Sequence, residues 1–302
     1  MPRVLIHIGY PKAASTFLWQ YFTSNPGLIV EGSNFKNAYI QSGKIPAEIV
    51  KKTSSNSSKY YVISEEQLSV WGGELDIVGI RFKPYDIKSH QKETCRELYS
   101  LFPDAKILIV TRGFRSALVS MYWQYVSIGG IFDFNTFQEK YSGYFSEFYD
   151  YNYLIDIYRK TFGENVVILP FELLKDNTAA FLKRLEAACD LPPMQFQGEK
   201  MNNALLERTE SYRRLSSLLY TLIRPLPYDI QKKIYRFYSN LLYQRKLLWL
   251  SDIIASEPGK YQIAGNTIRM FTGKAEVLRH EKIFTPYLKE YLITEENKTP
   301  GC

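Results

Sequence analysis

Arg3–Gln20 reads RVLIHIGYPKAASTFLWQ, and this stretch decides the fold. Its first six residues are rich in Val and Ile and lack strict polar alternation, as expected of a strand covered on both faces. Gly9-Tyr10-Pro11 ends the strand, and helical spacing begins near Thr16. A strand feeding a helix through a short turn opens an α/β sheet. The turn also carries chemistry. At a helix N-terminus, free backbone N–H groups and the positive dipole end attract phosphate. Lys12 adds a formal charge there, and Ser15 and Thr16 add hydroxyl donors beside Ala13 and Ala14. The turn is not a Walker A loop, in which Lys directly precedes the hydroxyl residue. Here Lys12 precedes Ser15 by three, and the loop is shorter. A bland βα turn with a surface lysine is the competing reading.

The same rhythm continues outward. Tyr60–Ser64 (YYVIS), Lys106–Thr111 (KILIVT) and Asn165–Leu169 (NVVIL) read as further strands, with Leu28–Val30 as a short one. Helical patterns lie near Thr16–Ser24, His90–Phe102, Phe114–Val126, Phe145–Phe162 and Thr178–Ala188. Residues 31–59 are polar, and Thr53–Lys59 reads as a loop. The alternation predicts an α/β fold with a largely parallel sheet. After Pro192-Pro193 the pattern changes. Residues 204–250 have helical period, and Pro225 and Pro227 should divide them into two helices. We read 1–192 as an α/β core and 193–302 as a helical C-terminal portion of the same domain, contributing to a substrate site.

Composition narrows the function classes. The 302 residues are 45% hydrophobic and 23% charged, with 24 Tyr and 18 Phe, so a large core is available and whole-chain disorder is excluded. No apolar run approaches the roughly 20 residues of a membrane span. The chain enters a strand by Val4 without room for a secretory signal, so the expected location is cytoplasmic. Cys95, Cys189 and Cys302 are scattered, as are His7, His90 and His280, and neither set has metal-site spacing. No metal is expected. The sequons at Asn56 and Asn297 carry little weight in a cytoplasmic protein.

The net charge of +7 is uneven. Residues 211–250 hold Arg213, Arg214, Arg224, Lys232, Lys233, Arg236, Arg245 and Lys246 against Asp229 alone, which accounts for the whole excess. One reading is a solvated helix face; the other is an anionic partner at one place. Ile230, Ile234, Phe237, Tyr238 and Leu241 form a helical stripe within this segment, which is expected to pack into a core. The alternative is peripheral contact with an anionic membrane. No nucleic-acid motif is visible, so none is expected as a partner.

Two further motifs stand at strand ends. After KILIVT comes Arg112-Gly113-Phe114-Arg115-Ser116-Ala117-Leu118-Val119-Ser120. In a parallel sheet the C-terminal strand ends line the ligand crevice. Ser116 and Ser120 share a helix face, and with Arg112 they make a plausible phosphate clamp. After YYVIS comes Glu65-Glu66-Gln67-Leu68, which places a carboxylate at the same edge. An acidic helix start favoured by the dipole would look the same. His7 lies inside the first strand and reads as a buried structural imidazole.

Together these elements resemble the sulfotransferases that use 3′-phosphoadenosine 5′-phosphosulfate (PAPS). Pro11-Lys12-x-x-Ser15-Thr16 resembles that family's 5′-phosphosulfate loop, and Arg112 with Ser120 resembles its 3′-phosphate element. Ser64-x-Glu66-x-Leu68 resembles the segment supplying a carboxylate base in carbohydrate-type members, with Glu65 as the rival to Glu66. The resemblance covers about residues 3–192, including Tyr153–Leu191. It departs at Ala14, where the family often has Gly, and in lacking a glycine-rich RKG-type segment near the C-terminus. It implies a P-loop-NTPase-like parallel sheet flanked by helices, PAPS as donor, 3′-phosphoadenosine 5′-phosphate (PAP) as product, and a hydroxyl acceptor on a glycan, glycolipid or small metabolite. Lys12 and Glu66 would be catalytic. Lys12, Ala13, Ala14, Ser15, Thr16, Arg112 and Ser120 would bind the donor. The rival readings are a P-loop-type kinase or NTPase and a non-enzymatic protein binding anionic lipid. The first lacks a metal-holding acid, because KILIVT runs into Arg112 where Asp is needed.

Overall fold

The computed structural model describes residues 3–31, 39, 44–46, 48–49, 60–69, 86–196, 209–244, 246 and 261–293. The expected loop Thr53–Lys59, Arg245, both sequons and Cys302 lie outside them. Five strands form one all-parallel sheet in the order β2-β3-β1-β4-β5: β1 is Arg3–His7, β2 Leu28–Glu31, β3 Tyr60–Ser64, β4 Lys106–Thr111 and β5 Val166–Pro170. This is the fold class the sequence predicts. β1 lies at the centre, with Ile6 opposite Ile63 on one side and Ile107 on the other. Leu5, Ile6, Val62, Ile63 and Ile107 through Val110 are fully buried. Such two-sided burial explains why the strands read as continuous apolar runs.

Helices fill the connections. α1 is Ser15–Ser24, α2 Ile87–Leu101, α3 Phe114–Ser127, α4 Phe134–Phe148, α5 Tyr151–Phe162, α6 Phe171–Asp176 and α7 Thr178–Cys189. The chain leaves β1 through α1 toward β2, and leaves β4 through α3 toward β5 on the opposite side. β1 and β4 are neighbours whose connections diverge. That makes the gap beyond their C-terminal ends the topological switch point, where ligands of open α/β sheets bind.

The single helix expected over Phe145–Phe162 is instead two. α4 ends at Phe148, and α5 begins at Tyr151. Asp150 separates them as an N-cap, its carboxylate accepting from the Tyr153 N–H at 3.2 Å and pairing with Lys274 at 2.7 Å. The apolar spacing runs through the break, so periodicity alone could not reveal it. α4, capped by Asp133 through the Thr136 N–H at 2.8 Å, was not legible before Phe145.

α8 (Thr209–Ile223) and α9 (Tyr228–Tyr243) form a hairpin around Pro225 and Pro227, as expected. Its orientation differs from the expected stripe. Tyr235, Tyr238 and Leu242 are buried, whereas Ile230 and Phe237 are exposed. Two tyrosine hydroxyls decide this. Tyr235 donates to the Gly129 carbonyl, and Tyr238 pairs with Ser216 of α8 at 2.9 Å. Buried hydroxyls need partners, so these bonds set the helix rotation. Gly129 has φ +106°, which favours glycine.

Residues 261–293 are mostly short helical turns, including α10 (Gly265–Arg269) and α11 (Leu288–Tyr291). They return to the α/β layer. Val277 donates its N–H to the Asn152 side chain at 2.9 Å, and Arg159 pairs with Glu281. Phe271 and Tyr291 pack with Phe114 and Tyr151 beyond β4. Much of the aromatic content is therefore spent closing the ground beside the switch point.

Candidate functional site

The turn after β1 holds an unusual backbone. Lys12 has φ +66° and Ala14 φ +68°, both left-handed without glycine. Each such residue costs roughly 1–2 kcal/mol. Ala14 is the N-cap of α1 and offers no side-chain hydrogen bond to its first-turn amides, and the first turn itself contains no acidic residue. α3 starts the same way, at Gly113, with no side-chain cap and no acid in its first turn. By contrast, Asp86, Asp133, Asp150 and Asn177 cap α2, α4, α5 and α7. Neither helix leaving the switch point has a side-chain cap, a feature shared with the helices starting at Phe171, Tyr228, Gly265 and Leu288; the Gly113 N–H before α3 is taken by the Glu172 carboxylate, which leaves the start of α1 as the place for an external anion.

Ala14→Gly should relieve the strain at one of these positions. The relief exceeds the entropy cost of glycine by about 0.5–1 kcal/mol. A melting curve should show a small rise in Tm; a fall would mean that the Ala14 side chain contributes more to stability than its left-handed backbone costs.

Two cations converge on this gap. Arg112, at the end of β4, donates from Nη1 to the Lys12 carbonyl at 2.7 Å and from Nε to Ser116 Oγ at 3.0 Å. Its guanidinium lies 4.5 Å over the Phe171 ring. Tyr151 OH receives the Arg112 N–H at 3.1 Å and holds the backbone there. Lys12 Nζ donates to Gln124 Oε1 at 3.2 Å. Burial lowers the pKa of both cations. Glu66 partly opposes this for Lys12 while Arg112 adds to it, and Tyr149 and Glu172 oppose it for Arg112. Two half-buried cations so close together favour an anion between them.

The carboxylate comes from β3. Glu65 folds back: its N–H bonds the His7 carbonyl at 3.1 Å, and its side chain accepts from the Gln67 N–H at 3.2 Å. Glu66 turns toward the loop instead and accepts from Ser15 Oγ at 2.8 Å. His7 is fully buried, with Nδ1 2.9 Å from Ser64 Oγ. Burial lowers its pKa to about 3, so it is neutral near pH 7 and a poor base. A Cβ on Gly9 would meet His7 Nε2 at 2.1 Å, which accounts for glycine at the strand exit.

Hydrogen bonds tie Lys12 to Arg112 and Ser15 to Glu66. Ala13 is buried, with its N–H bonded to the Tyr10 carbonyl at 3.1 Å. Thr16 is exposed in the first turn of α1. Ser120 is buried, one helical turn from Ser116 and one from Gln124. Sequence reasoning missed Gln124, although the spacing Ser116, Ser120, Gln124 puts it on the same face. It also missed Glu172, which accepts from the Gly113 N–H at 2.8 Å and from Tyr291 OH. Glu172 stands two residues past the end of β5, so its strand-end position was the available signal. Tyr149, whose hydroxyl lies 3.4 Å from the Pro11 carbonyl, and Tyr151 sit at the unforeseen helix break.

The fold and the gap between β1 and β4 define an open α/β protein with a candidate anion site at its switch point. Among the described residues no group of His, Cys, Asp and Glu could hold a metal ion, and no helix is long and apolar enough to cross a membrane. No family model and no curated protein matches the chain. Among solved structures, a sulfotransferase from Alicyclobacillus acidocaldarius aligns with 77% of this chain and 99% of its own, at 15% identity and a TM-score of 0.46. A mouse sulfotransferase complexed with PAP aligns with 73% of this chain, at 13% identity and a TM-score of 0.37. The alignment spans 65% of that mouse protein's length. Neither superposition is close enough to argue function, which rests on the residues of the gap.

Proposed function

We propose that this protein is a PAPS-dependent sulfotransferase acting on a hydroxyl of a glycan, glycolipid or small metabolite. One observation carries the reading: Arg112 from β4 and Lys12 from β1 converge at the switch point, beside a carboxylate, Glu66, held by Ser15. The donor has two anionic ends, and the site has two cationic ones. The uncapped amides of α1 with Lys12, Ser15 and Thr16 suit the 5′-phosphosulfate, while Arg112 and Ser120 suit the 3′-phosphate.

The donor supplies an activated sulfuryl group. Glu66 would accept the proton of the acceptor hydroxyl as its oxygen attacks in line. Lys12 and the α1 amides would stabilise charge gathering on the departing 5′-phosphate, an effect larger in the transition state than in the ground state. Binding of that anion would replace Gln124 as the partner of Lys12.

Calorimetric titration with PAP and with Mg-ATP, followed by a transfer assay using labelled PAPS, tests the proposal. Tight PAP binding and label transfer to an acceptor extract are the expected results. Binding of Mg-ATP with none of PAP would reject it in favour of a kinase or NTPase.

A further inference from the structure

Seven large hydrophobic side chains are exposed among the described residues, and five belong to the α8–α9 hairpin. They are Leu218 at 58%, Leu222 at 75%, Leu226 at 38%, Ile230 at 46% and Phe237 at 68% exposure. Leu218 and Leu222 are one turn apart on α8; Ile230 and Phe237 are two turns apart on α9, so each pair shares a face. The hairpin's other face holds it to the protein through Tyr212, Tyr235, Tyr238 and Leu242. Such concentration of exposed apolar area marks an interaction surface.

The charges beside it choose the partner. Arg213 and Arg214 pair with Glu210. Arg224, Lys232, Lys233 and Arg236 have no ion pair among the described residues, and Asp229 is the only other acid in 209–244. A symmetric dimer through this face would set these cations against their copies, which is repulsive. An amphipathic helix with apolar and basic groups together suits the interface of an anionic bilayer.

We propose that the α8–α9 hairpin docks the protein on an anionic lipid surface, with Leu222 and Phe237 entering the interface and Lys232, Lys233 and Arg236 engaging headgroups. This is independent of the sulfotransferase reading, since none of these residues lies at the switch point.

The test is co-sedimentation with phosphatidylcholine vesicles, with and without phosphatidylglycerol, at low and physiological salt. The protein should bind only the anionic vesicles, more weakly as salt rises. Replacing Lys232, Lys233 and Arg236 together with Gln should weaken binding by about 100-fold. Leu222→Ser with Phe237→Ser leaves the charge unchanged and should weaken it by about 100-fold or more. These positions are exposed, so the melting temperature should hold. Three results would overturn the proposal: no binding to anionic vesicles at low salt; binding indifferent to the serine pair, which means charge adsorption alone; or a dimer in vesicle-free solution that the serine pair dissociates.

Discussion

Glu66→Gln should leave PAP affinity unchanged and slow sulfuryl transfer by about 10²–10⁴-fold, the usual contribution of a general base. The amide keeps the size of the carboxylate and can still accept the Ser15 hydroxyl, so the loop after β1 should hold its shape. It cannot take the acceptor proton. Glu65→Gln should be mild for transfer, because Glu65 turns back to the Gln67 N–H and does not reach Ser15. The measurement is single-turnover transfer with labelled donor at saturating PAPS, paired with PAP titration. If the Glu65 variant is the slow one, the base lies one residue earlier and the assignment of Glu66 fails. If neither variant slows transfer, the reaction does not use this edge of the sheet for its proton.

Arg112→Ala should have its largest effect on binding. Losing a charge-assisted bond costs about 1.5–3 kcal/mol, which corresponds to roughly 10–150-fold in affinity. PAP should lose that much, whereas adenosine 5′-phosphosulfate, which lacks the 3′-phosphate, should lose far less. A smaller common loss is expected for both nucleotides, because Arg112 also holds the Lys12 carbonyl at 2.7 Å and so supports the left-handed turn. Equal losses would reduce Arg112 to this scaffolding role and remove it from the 3′ side. Lys12→Ala should behave differently, lowering turnover more than donor affinity, since its charge acts on the leaving group.

The three central strands were legible because each is buried on both faces and so spells an unbroken apolar run. KILIVT and YYVIS were assigned to the residue. Lys12, Ser15, Glu66 and Arg112 could be singled out as candidates for a related reason: chemistry in a parallel sheet gathers where strands end, and strand ends can be read. The rest depended on partners distant in sequence. The local Ser64-x-Glu66-x-Leu68 pattern favours Glu66 over Glu65 only by resemblance; the hydrogen bond that turns Glu66 toward the loop comes from Ser15, 51 residues away. Gln124 acquires a role only because Lys12 comes within 3.2 Å across 112 residues. The break at Asp150 reflects its pairing with Lys274 in the returning C-terminal segment. The rotation of α9, which leaves Phe237 in solvent, follows from where Gly129 and Ser216 offer partners to Tyr235 and Tyr238. Periodicity reports how many faces a segment buries, but which face turns inward is settled by buried polar groups finding partners elsewhere in the chain.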